Sequence, residues 1–342
     1  TTGVRNTLIG GLAGDSLTNG DDNIALGYNA LSTEDTGSKS IAIGFEALKT
    51  QNNAASNHNV AVGHAAGTAV TTGVQNVLIG GLAGDALTDA DYNVALGYGA
   101  LSTDTLGSTS IAIGTNALAT QNFTTATNAY NTAVGDSAGV SVTTGIQNTL
   151  IGGLAGDALT VGSTNVALGV SALGADTKGN SSVAIGSSAL RLQNFTTATD
   201  AYNVAIGRAA GENVTTGTLN TFLGGLAGDA TTVGQRNVAL GYSALGADRQ
   251  GSRSVAIGAF ALVNQDFGDS TNVFNTAVGY DAGVSVTTGV QNTLIGGSAG
   301  DSLTDADYNT AVGYDALAAD TLGSKSTAMG RSALSSQNFT TA

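Results

Sequence analysis

The sequence predicts an all-β fold: a parallel β-solenoid with one short strand in each coil of about 17 residues. Three observations predict it. One phrase recurs 19 times in register along the 342 residues. Each copy carries an apolar triplet that opens on a β-branched residue. And the composition, with 50 Gly and no Pro or Cys, supplies small and aliphatic side chains rather than the large ones of an ordinary core.

The phrase is plainest in NVALGYSALGADRQGSRSVAIGAFAL, Asn237 to Leu262. Asn or Ser comes first, then Val, Ile or Thr, then a variable residue, then an aliphatic one. Gly follows, and Ala stands three residues after the Gly. The step is 17 residues, except before every fourth Asn, where it is 21, or 19 in the first case. Four coils therefore make a 72-residue superrepeat. The superrepeats run 1–70, 71–142, 143–214, 215–286 and a truncated 287–342, and each opens on TTG. The array reads as a single solenoid, an interior piece of a longer fibre protein.

The triplet is too short for a helix with caps, and β-branched residues favour strands. Coils one strand spacing apart, about 4.8 Å, would build a rod of roughly 90 Å. Equivalent residues then stand in columns. The Asn column (Asn23, Asn93, Asn165, Asn237 and Asn309 in the second coils) is expected to be a buried amide ladder, as in stacked cross-β structures. The Gly column (Gly27, Gly97, Gly169, Gly241, Gly313) marks a turn that only Gly tolerates cheaply. Bulk alternates between two sites. Leu78 in mid-triplet goes with Gly84 after the invariant Ala, whereas Ala239 goes with Leu245. A close-packed interior requires such an exchange.

Composition excludes several functions. A formal net charge of -14 disfavours nucleic acid, which needs clustered Lys and Arg. No apolar run approaches the roughly 20 residues of a membrane span, so no insertion by this segment is expected. The GG pairs lack the Lys-Ser/Thr of a phosphate loop. No nucleophile and base recur together, so neither catalysis nor a cofactor is expected. His58 and His64 are the only histidines, and a surface or stacked role suits them.

The phrase at Asn237–Leu262 resembles the head repeats of YadA-like trimeric autotransporter adhesins. NTAVGYDAGVSVTTGVQNTLIGG is similar to phage tail-fibre and tail-spike repeats. The resemblance implies a left-handed parallel β-roll, a homotrimer, an extracellular place on a virion tail or cell surface, and a role in attachment. The step of 17 residues, longer than the adhesin repeat, implies a longer outer loop. Trimerisation has separate support. Strand alternation sends the mid-triplet residue one way and its two neighbours the other. Both faces are apolar; one suits the coil's own core and the other a partner chain.

Asp15, Asp85, Asp157, Asp229 and Asp301 recur in AGD. They lie four coils apart, too far to share Ca²⁺ along one chain, so they read as turn residues and no metal site is expected. The longer step before every fourth Asn carries QNFTTATNAY or its like. Its rings, Phe123 and Tyr130, Phe195 and Tyr202, Phe267 and Phe274, are candidate contacts for a receptor glycan; alternatively they fasten their own loop. The function expected is an attachment segment. An ice- or mineral-binding solenoid and a structural filament without receptor binding are the alternatives. TTG once in four coils is too sparse for the Thr-x-Thr ladders of the former.

Overall fold

The computed structural model describes residues 2–341. Among them there is no helix, and 19 three-residue strands recur, one per coil. The chain divides into two compact units, Thr1–Ala167 and Leu168–Ala342.

In the first unit, each triplet pairs in parallel with the triplets one coil before and after it. Thr7, Leu8 and Ile9 lie opposite Ile24, Ala25 and Leu26, and the register continues without slip to Thr149–Ile151. The second unit repeats the arrangement from Val183–Ile185 to Thr327–Met329. Every coil is closed by tight turns in left-handed backbone. In the coil of Asn237 these fall at Arg236 (φ 58°), Gly241 (φ 134°), Ser243 (φ 52°) and Leu245 (φ 54°). The same four places are left-handed in every coil, whatever residue stands there.

The Gly column is demanded twice. Its φ lies far into the positive region, and a Cβ on Gly241 would sit 2.6 Å from the backbone of Gly258 in the next coil. The exchange of bulk is visible in the core. A Cβ on Gly228 would meet the Phe222 ring at 2.5 Å, whereas Ala239 leaves room for buried Leu245. In the fourth coils, Gly211 yields its space to Phe222 of the next coil and Leu190 of the one before.

The mid-triplet residues form the interior: Ala25, Leu78, Phe222 and Ala239 are fully buried. Their neighbours point outward, and Leu96, Leu223 and Ile295 remain about two-fifths exposed.

The Asn column is buried, and its amides bond one another at two steps, Asn76 Nδ2 to Asn59 Oδ1 and Asn148 Nδ2 to Asn131 Oδ1 (both 3.3 Å), but its shorter bonds run to the backbone. Asn237 Oδ1 accepts the backbone N–H of Ser254 (2.9 Å), and its Nδ2 donates to Gly251 O (2.9 Å). Asn23 and Asn93 repeat this, bonding Ser40 and Gly37, and Ser110 and Gly107. Asn309 bonds Ser326 N and Gly323 O, and the backbone N–H of Asn165 donates to Asn148 Oδ1. Each side chain thus stitches backbone to backbone, because the free N–H of the next coil lies nearer than the next amide.

Candidate functional site

The most elaborate polar structure is the closure of each inserted loop. Where Ser replaces Asn, a buried Gln fills the shortfall. Gln121 Nε2 donates to Ser110 Oγ (3.0 Å), and its Oε1 accepts from Asn131 Nδ2 (2.8 Å). The same Nε2 donates to Asp104 Oδ2 (2.5 Å), while Gly107 N and Phe123 N donate to Oδ1 (3.0 and 3.1 Å). Asp104 is fully buried and enters no ion pair among the described residues; three donors hold it instead. Asp176 with Gln193 and Asp248 with Gln265 repeat the arrangement, as do Asp320 and Gln337. Burial pushes the Asp248 carboxyl above its ordinary value, against the pull of Gln265 and two backbone N–H groups. In the first superrepeat the loop is two residues shorter, and Glu34, one methylene longer, takes the place of Asp.

This network escaped the sequence reading. Its signal was present: in a column otherwise occupied by buried Leu87 and Val142, Asp104 and Gln121 stand one coil apart.

The ring pairs of the insertion divide. Phe123, Phe195 and Phe267 are buried (6–7 % exposed), whereas Tyr130, Tyr202 and Phe274 are about half exposed (57, 54 and 47 %). The Phe rings lie inside the loop, and a Cβ on Gly107 would come within 2.8 Å of Phe123. The loop is also pinned by a short parallel ladder, Gly107–Ser108 with Thr127–Asn128 and Gly179–Asn180 with Thr199–Asp200. Only its tip, 124–126, is exposed throughout. The outer rings each precede a buried Asn and share a column with Arg, Lys and other polar residues.

A second set of rings follows the Gly column. Tyr28 stacks on Phe45 (5.6 Å, 21°), and Phe45 on His64 (5.2 Å, 8°). In the second unit, Phe260 meets Tyr242 and Tyr280 edge to face. Tyr28, Tyr242 and Tyr280 are half exposed or more.

Of the AGD carboxyls, Asp15 is exposed and the other four are part-buried. Burial raises Asp85, Asp157, Asp229 and Asp301 above the usual carboxylate value. Oδ1 of Asp85 and of Asp301 lacks a hydrogen-bond partner. Among the described residues no group of three or more acidic or His side chains converges as a cation would need.

No protein-family model matches the chain, and no curated protein matches it.

Proposed function

We propose that the chain is a segment of a trimeric fibre that attaches its bearer to a host or surface, of the kind made by YadA-like adhesins and phage tail fibres. One observation carries the reading. The last residues of the triplets form an aliphatic column that recurs in coil after coil beside one of Val, Ile and Thr, with Leu96, Leu223 and Ile295 each about two-fifths exposed. Contiguous apolar surface on this scale marks a contact with another macromolecule. A repeating face is best covered by an equally repeating one, so the partner is a second and third copy in register. The exposed rings Tyr130, Tyr202 and Phe274 then serve as receptor contacts, placed once per superrepeat so that weak contacts sum by avidity. Such a fibre acts outside the cell or virion.

Native mass measurement tests the assembly: the expected particle is three times the 33.4 kDa chain. Leu96→Lys with Leu223→Lys should yield monomers, and a wild-type monomer would overturn the trimer. Attachment is tested separately. A variant lacking Tyr130, Tyr202 and Phe274 should keep its assembly and lose binding; full binding would leave a spacer filament.

A further inference from the structure

We infer that Arg236 and Arg253 form a site for the carboxylate of an acidic saccharide. They occupy the same place in consecutive coils, each just before the strand residues Val238 and Val255 that pair across the step. Both are exposed, and about 4.8 Å of strand spacing separates their backbones. Two like charges at that distance repel each other unless an anion lies between them.

The same column shows what such an arginine reaches. In the first superrepeat Arg5 is followed one coil later by Asp22, and the guanidinium grips the carboxylate with two bonds, Nε to Oδ1 (2.5 Å) and Nη2 to Oδ2 (3.0 Å). Neighbours in this column therefore meet at bonding distance. In the fourth superrepeat Arg236 stands at the place of Asp22, and the next residue of the column is Arg253 rather than a carboxylate. Among the described residues neither Arg236 nor Arg253 enters an ion pair; Arg253 lies over the Phe274 ring at 5.4 Å. An oxyanion supplied from outside would complete the pattern, with the forked donors that suit a carboxylate.

The flanks narrow the ligand. The column reads Leu219, Arg236, Arg253, Phe274 over four successive coils, and Leu219 and Phe274 are nearly half exposed (43 and 47 %). An anion between two apolar surfaces fits a uronic-acid-type sugar, which carries a carboxylate on a ring with C–H faces. A short acidic peptide offers the charge without the ring. The proposal rests on the attachment reading, and names the class of receptor for one superrepeat.

The test titrates tri-galacturonate, maltotriose and tri-glutamate onto the purified chain, followed by calorimetry and by the NMR signals of the arginine Nε–H groups. Tri-galacturonate is expected to bind with a millimolar Kd, to shift the two arginine signals, and to exceed the other two compounds at least tenfold. R236Q/R253Q should weaken it tenfold or more with no change in Tm, because Gln75, Gln147 and Gln291 already occupy this column with the same left-handed backbone. Equal binding of maltotriose or tri-glutamate, or undiminished binding by R236Q/R253Q, would overturn the site. So would dissociation of an oligomer by R236Q/R253Q, which would assign the arginines to a partner copy's carboxylates. Because the titration measures binding and native mass measures assembly, the site and the trimeric fibre can fail separately.

Discussion

Two kinds of buried carboxyl show how much depends on what faces a single residue. Asp229 is half-buried with its pKa raised chiefly by burial. Its ionised form is a cost that no strong donor offsets. A carboxyl whose folded pKa lies above its unfolded one contributes stability at low pH, and that contribution is lost as pH rises through the folded value. Asp85, Asp157 and Asp301 share the direction. We expect the Tm to gain from these groups as pH falls through their raised folded pKa values, and replacement of all four by Asn to raise the Tm at pH 7 and flatten this slope. The exposed control Asp136→Asn should leave the slope in place; an equal flattening by it would assign the effect to net charge. Asp248 has a raised pKa as well, yet its substitution should have the opposite sign. Its Oδ2 accepts from Gln265 and its Oδ1 from Gly251 and Phe267. In Asp248→Asn the amide would turn its N–H₂ on the Gln265 donor, or on the backbone donors if flipped. The expected loss is about 1–3 kcal/mol by denaturant titration, while Asp229→Asn gains. Gly241→Ala is a third case: strained φ and overlap with Gly258 together cost at least about 2 kcal/mol.

At the scale of the coil, the sequence disclosed the plan and concealed the seams. The strand triplets, their register and the exchange between Leu78 and Gly84 followed from period and bulk. The bonding of the Asn column did not, because spacing places residues in a column without saying which atoms touch. Nor did the left-handed backbone at Leu245 or Phe260, where intrinsic preference argues against it and only closure of the coil explains it. The division of the rings was legible in principle. Strand alternation from buried Gln121 puts Phe123 inside, and alternation from buried Asn131 puts Tyr130 outside. The division yields a prediction. Phe195→Ala should cost about 3–5 kcal/mol if its pocket cannot collapse, and should raise amide exchange over 194–202. Tyr202→Ala should stay within about 0.5 kcal/mol of wild type. Equal losses from both would show that the outer ring also fastens the loop.

For the whole molecule, the decisive property is that the bonds of a coil go to itself and its immediate neighbours. Asn194 N donates to Thr215 O, and Asp266 N to Thr287 O, so the end of one superrepeat meets the start of the next in the same way each time. Remove residues 215–286, and Asn194 would find Thr287 where Thr215 had been. We expect that shortened chain to fold, with its total unfolding free energy reduced by about one superrepeat's share and no further penalty at the joint, as nearest-neighbour energetics implies. Excision of one 17-residue coil, 238–254, should not be tolerated. It would take both Asp248 and Ser254 from the buried Gln265. The gene can therefore lengthen or shorten its product by copying or losing 216 bases at a stroke, and only multiples of that length leave every joint matched. Evolution is offered a ruler with one graduation, on which reach is heritable in whole numbers.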